Sequence, residues 1–221
     1  MRLLVIADIH GQYHILEKII NKVKNEDFDC IVCPGDFTDM FSVPEEFTQM
    51  DIVNIIIQKI LTLKKPFFAV PGNHDPYESL NLFDDFGINC HGQIKKIDDV
   101  KITGWGGALT PFHTKFEPTE EETEDMLKAL ENLNKFIFLT HNPPYNTKMD
   151  LTNTGQHVGS KAIRQFIIER KPFLVISAHI HEAAGIDVLE KSIIFNPGPV
   201  YEGMYGIVDT EPEIKCYTKK I

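Results

Sequence analysis

The chain has 221 residues, 43% hydrophobic and 24% charged, which is enough for one large domain or two small ones with a sizeable buried core. Its formal net charge of −10 opposes bulk affinity for long nucleic acid, whose backbone needs clustered Lys and Arg, but not the binding of a single phosphate at a cation site. No apolar run nears the ~20 residues that span a bilayer, and an acid breaks the N-terminal run LLVIADIHG where a secretory leader would continue, so a cytoplasmic protein is expected.

In chain order, residues 3–7 form a short apolar run predicted as a buried strand. Ile15, Leu16, Ile19, Ile20 and Val23 then mark one face of a helix. Residues 30–33 are the next strand. They hold Cys30 and Cys33 at C-x-x-C spacing, but residues three apart on a strand point to opposite faces, so buried thiols are expected in place of a zinc or redox pair. Val53, Ile56, Ile57, Ile60 and Leu61 mark a second helix, and residues 67–70 a third strand ended by Pro71-Gly72. The acid run TEEETED at 119–125 reads as the solvated first turn of a helix. Strands follow at 136–139 and 173–177, with a helix around Ile163, Phe166 and Ile167 between them. From Ile193 onward the pattern is short strands and turns. The alternation is that of an α/β protein. Without repeats or a linker-like stretch, one domain over 1–221 is expected. The stretches 105–118 and 142–160 read as long loops that could lid a site.

The segment CPGDFTDMF, residues 33–41, places Asp36 and Asp39 directly after a strand. Alone, Gly35-Asp36 would be an ordinary turn. The other strands change that reading. Asp8 and His10 follow the first, Asn73 and His74 the third, His141 the fourth, and His179 and His181 the fifth. Ligands of open α/β sheets bind at the carboxyl ends of strands, and here each of these ends delivers Asp, Asn or His. Imidazole and carboxylate together suit transition metals better than calcium. One carboxylate can bridge two ions, and Asn ligates through its amide oxygen without adding charge.

The ordered blocks Asp8-Ile9-His10, Gly35-Asp36-Phe37-Thr38-Asp39, Gly72-Asn73-His74-Asp75, His141 and Ala178-His179-Ile180-His181 resemble the calcineurin-like metallophosphoesterases, of the compact prokaryotic type. The resemblance implies a four-layer αββα sandwich, two packed mixed β-sheets flanked by helices. It implies two divalent transition-metal ions (Mn, Fe, Zn or Ni), one held by Asp8, His10 and His181 and one by Asn73, His141 and His179, with Asp36 bridging. It makes His74 the proton donor to the leaving group and Asp39 the residue that orients its ring. Hydroxide activated by the metals would attack phosphorus in line. Two departures stand out. Ala178 replaces a Gly, which is tolerable unless that position needs positive φ. Met40 and Pro71 stand where the Ser/Thr protein phosphatases carry Arg. A dianionic monoester gains most from bidentate Arg, so the expected substrate is a small phosphodiester of cyclic-nucleotide type. The alternatives are a phosphomonoesterase or nucleotide phosphatase and, in a different class, a non-catalytic interaction scaffold. Homo-oligomerisation is left open. Among other residues, His14 reads as surface or packing, Trp105 as core, and His113 and His157 as candidates for lining a substrate pocket.

Overall fold

A computed structural model describes residues 1–221. One sheet contains β1 (Arg2–Val5), β2 (Cys30–Cys33) and β3 (Phe67–Ala69) in parallel. The second contains β4 (Ile94–Ile97), β5 (Val100–Trp105), β6 (Phe136–Thr140), β7 (Leu174–Ile176), β8 (Gly185–Leu189) and β9 (Ser192–Asn196), in the order β4-β5-β6-β7-β9-β8. β10 (Met204–Asp209) and β11 (Lys215–Lys220) complete the first sheet, in the order β11-β10-β1-β2-β3. In the six-stranded sheet the inner pairs are parallel and an antiparallel strand closes each edge, whereas in the five-stranded sheet β10 and β11 join antiparallel on one side and β3 is a parallel edge, so both are mixed.

The period-2 alternation of strand side chains builds the layers. Leu3, Val5, Cys30 and Val32 pack against Ile102, Ile137, Leu139, Leu174 and Ile176 of the other sheet, forming the inter-sheet core. Leu4, Ile31 and Cys33 point the other way, onto Leu16 and Ile19 of α1 (Tyr13–Val23) and Ile52 and Ile56 of α2 (Gln49–Leu61). A short α3 (Ser79–Asp85) adds Phe83 to that layer. On the far side, Phe136, Phe138 and Val175 receive Leu127 of α4 (Glu120–Ala129) and Ile163, Phe166 and Ile167 of α5 (Lys161–Arg170). The result is the expected αββα sandwich. Cys30 and Cys33 lie in different cores, so the C-x-x-C spacing joins nothing.

The acid run is the first turn of α4, closed by a capping box between Thr119 and Glu122. The predicted loop at 142–160 holds one 3-10 turn, Lys148–Asp150, and a stretch to which the sequence assigned no element forms two strands. Residues 94–105 form the β4–β5 hairpin, whose outer strand IKKI is half exposed at the sheet edge and so lacks an apolar run. Trp105 therefore ends a strand, 5% exposed, with its indole N–H donating to Thr123 Oγ1 at 3.1 Å. No helix is long and apolar enough to cross a membrane.

Candidate metal centre

Asp8, His10, Asp36, Asn73, His74, His141, His179 and His181 all lie on the loops that leave the carboxyl ends of β1, β2, β3, β6 and β7. Both sheets point these ends the same way, which brings the loops together. Four of these residues occupy the left-handed region: Asp8 (φ 51°), His10 (48°), Asp36 (56°) and His179 (72°). Non-glycine residues there cost about 1 kcal/mol or more each, and such strain gathers at functional sites. At the Ala-for-Gly departure, His179 has the positive φ and Ala178 does not, so a Cβ is tolerated there. Gly35 is different: at φ 116° it lies against Gly72 and the His141 ring, where an added Cβ would collide.

Backbone bonds set the loops against each other. Ile9 N and His10 N both donate to Asp36 O, at 2.8 and 3.0 Å. Asp75 is fully buried and accepts from Phe37 N (3.2 Å), Thr38 N (3.0 Å) and Gly72 N (2.8 Å), stitching the Asp36 loop to the Asn73 loop. The sequence showed Asp75 only as the last letter of a block, and its structural role went unread.

The candidate ligand atoms converge in two directions from Asp36. Its Oδ2 lies 3.4 Å from both His10 Nε2 and His141 Nε2, and its Oδ1 accepts from His74 N at 2.9 Å. On one side His10 Nε2 is 3.3 Å from His181 Nε2, which is 3.8 Å from Asp8 Oδ1. On the other, His141 Nε2 is 2.9 Å from Asn73 Oδ1, and the His179 ring lies 5.1 Å from that of His141. Asp8–His10–His181, His10–Asp36–His74 and Asp8–Asp36–His141 each gather their ligand atoms within 4.8 Å.

These atoms suit a cation. His141 Nδ1 faces Pro34 O at 3.0 Å, and a carbonyl only accepts, so Nδ1 carries the proton. The bare Nε2 of a neutral ring then faces Asn73 Oδ1 and Asp36 Oδ2, lone pairs against lone pairs. Only a proton or a metal ion reconciles them. Asp8 Oδ2 is also buried with no hydrogen-bond partner, and buried charge without a partner is expensive. Without metal, a proton fills the gap. Burial lowers the pKa of His141, but Asp36 outweighs it and holds the group up at about 9. Burial would raise Asp36, yet His141 and His10 hold it well below the usual carboxylate range. Asp75 is pushed up to about 7 by burial and then by Asp36, while its three amide donors pull the other way. Burial lowers His10, and it takes His179 down to about 3 with His141 adding to the effect.

A cleft of about 550 Å³ opens over the His10–His181 side, lined by Gln12, Asp39, Ser42, His74 and Tyr201 as well. His74 Nδ1 lies 3.1 Å from Asp39 Oδ1, the pairing the family resemblance implied. Tyr201, unread in the sequence, brings its hydroxyl within 2.8 Å of His181 Nδ1. The available signal was its place after β9, another parallel strand ending on the same side. His113 and His157 do not line this cleft. His157 instead pairs with buried Asp150 at 2.7 Å, and His14 packs on Tyr13.

Comparison with known proteins agrees with the architecture. The sequence model of the calcineurin-like phosphoesterases matches residues 1–183. The uncharacterized protein MJ1162 of Methanocaldococcus jannaschii is 32% identical over 219 residues, covering 96% of this chain and 93% of that protein. TT1561 of Thermus thermophilus superposes with a TM-score of 0.78 at 22% identity, over 99% of this chain and 98% of that one. An archaeal phosphodiesterase superposes with a TM-score of 0.59 at 17% identity, covering both chains fully. At these identities the two structures speak for the fold alone.

Proposed function

For a chain that belongs to the calcineurin-like phosphoesterases, we propose hydrolysis of a small phosphodiester at a centre of two divalent transition-metal ions. Asp8, His10 and His181 would hold one ion, Asn73, His141 and His179 the other, and Asp36, whose Oδ2 faces both sides, would serve both. When bound, such a pair clamps phosphoryl oxygens and lowers the pKa of the attacking water.

The remaining chemistry belongs to the chain. Asp36 is pinned by the His74 amide, so its carboxylate is set before anything binds. His74 lines the cleft with Nδ1 held by Asp39, which leaves Nε2 to give a proton to the departing alkoxide. Tyr201 holds the far nitrogen of His181 and fixes that ring. The backbone turn that carries Asp36 therefore also carries the partner of the general acid, which explains the three-residue spacing from Asp36 to Asp39.

The observation that carries the diester reading is the lining of the cleft, which contains no Lys or Arg. Met40 and Pro71 supply no guanidinium, and Lys148 lines a different pocket with Asn153 and Glu182. A monoester dianion would find no Lys or Arg there to pair its second charge, whereas a diester carries only one charge. Phe41, 66% exposed with its ring edge-on to His74, offers apolar surface to the ester's organic group. The test is kcat/KM on bis-nitrophenyl against mono-nitrophenyl phosphate, with Mn²⁺ or Zn²⁺ supplied. The diester is expected to be cleaved at least as well. A strong monoester preference would overturn the reading and direct mutagenesis to Lys115.

A further inference from the structure

Asn73 is the proposed ligand whose side chain can point the wrong way. Its amide offers an oxygen on one side and an NH₂ on the other, of nearly the same shape, and only the oxygen can hold a cation. Something must select the orientation.

The selection comes from the 106–118 loop. Asn73 Nδ2 lies 3.1 Å from Thr114 Oγ1, and Thr114 Oγ1 lies 2.5 Å from Glu117 Oε1. A carboxylate only accepts, so the single hydroxyl proton of Thr114 is committed to Glu117. The side of Oγ1 facing Asn73 then presents lone pairs, which an NH₂ satisfies and an amide oxygen repels. A flipped Asn73 would lose this bond and turn its NH₂ toward His141 and Asp36. Glu117 is itself held in place: Oε1 also accepts from Thr114 N and Thr110 Oγ1, both at 2.7 Å. Burial pushes its pKa up, but the donors from Thr110 and Thr114 outweigh that and keep it ionised. Lys115 N and Phe116 N both donate to Asn73 O at 2.9 Å, so the loop cannot drift from the residue it orients.

We propose that Thr114 and Glu117 are positioning residues that lock the Asn73 amide with its oxygen toward the metal centre. This rests on the two-metal reading above and concerns one ion of the pair. Neither residue lines the cleft or touches Asp8, His10 or His181.

The experiment is calorimetric titration of chelator-stripped protein with Mn²⁺, with elemental analysis of the loaded product. Wild type is expected to take two ions. Thr114→Val keeps the shape and removes the hydroxyl, and it is expected to weaken one ion by about 10–100-fold, the usual effect of losing a partner that orients a ligand, while leaving the other unchanged. Thr114→Ser should bring the weakened ion back to near wild type, which a purely space-filling role would not do. Glu117→Gln keeps an acceptor oxygen for the Thr114 hydroxyl but removes the charge that holds its proton, and should weaken the same ion by less. If Thr114→Val fails to fold, the Glu117→Gln and Thr114→Ser pair carries the test. Equal weakening of both ions, or wild-type binding in both Thr114→Val and Glu117→Gln, would overturn the lock. A wild type that takes up no Mn²⁺ would instead overturn the metal reading.

Discussion

His141 and His181 belong to opposite sides of one centre and live in different surroundings. The His141 side chain is fully buried, held at Nδ1 by Pro34 O, and faces an Asn73 gripped by the 106–118 loop. The His181 side chain keeps 29% of its surface in solvent at the rim of the cleft, where Tyr201 meets its Nδ1. The donor chemistry is alike and the enclosure is not. On the enclosed side an absent cation must be replaced by a proton, because lone pairs face each other with no room to relax. On the open side, water can take that place. Burial therefore decides how strongly each half depends on pH and on its supporting residues.

The change that should erase the difference is Asp36→Asn, since Asp36 serves both halves. Both ions should bind far more weakly and activity should fall by about 10²–10³-fold or more, the scale of losing a principal electrostatic group. Elemental analysis and anomalous scattering check this. A variant that keeps both ions in place would remove Asp36 from the bridge.

His74→Asn should leave both halves loaded yet cost about 10²–10⁴-fold in kcat on esters with poor leaving groups. The loss should shrink for nitrophenolate, which departs with little help, and Asp39→Asn should show a milder form of the same pattern. His74 also lies within ligand distance of His10 and Asp36. Loss of an ion in His74→Asn would therefore make it a ligand and not the acid.

The sharpest contrast between the halves is pH. The pKa of His141 is raised to about 9 in the metal-free protein, so an ion entering that side below pH 9 must displace a proton. Its affinity should fall by about tenfold for each unit below pH 9, with proton release visible by calorimetry in buffers of different ionisation enthalpy. His10 is lowered below its ordinary value by burial, so an ion entering the open side at pH 7 should displace no proton from that ring. For stability the sign reverses. The contribution of charged His141 to the metal-free fold is complete below its ordinary 6.5 and is lost as pH rises through about 9. Melting temperatures of stripped protein across that window should decline, and less so once metal is restored.

The smallest expected effect is on the open side. Tyr201→Phe removes one hydroxyl from His181 and should weaken that ion by about 10-fold, the low end for such partners, because solvent can replace the bond. A two-site Mn²⁺ titration reads it directly. A change in the Asn73–His141 ion instead would mean the halves are not separable as described.

The family resemblance supplied the sandwich class, while the residues by themselves determined the α/β alternation and the placement of Asp, Asn and His directly after the apolar runs. These rest on local facts: apolar runs too short for helices, glycines that allow close approach, and Asp, Asn or His placed immediately after each run. The pairing of Asp39 with His74 was readable only through the family resemblance that the motif blocks carry. Element edges and the half-exposed hairpin at 94–105 were not, since an edge strand such as IKKI needs no apolar run to form. Only the tertiary structure could assign Asp75, Tyr201, Thr114 and Glu117. Their roles depend on where a carboxylate or hydroxyl meets a group 38, 20, 41 or 3 residues away, and hydrogen-bond direction at such meetings has no periodicity in the chain. The division of the centre into an enclosed and an open half was likewise decided by packing, because burial of a histidine is a property of the layers around it.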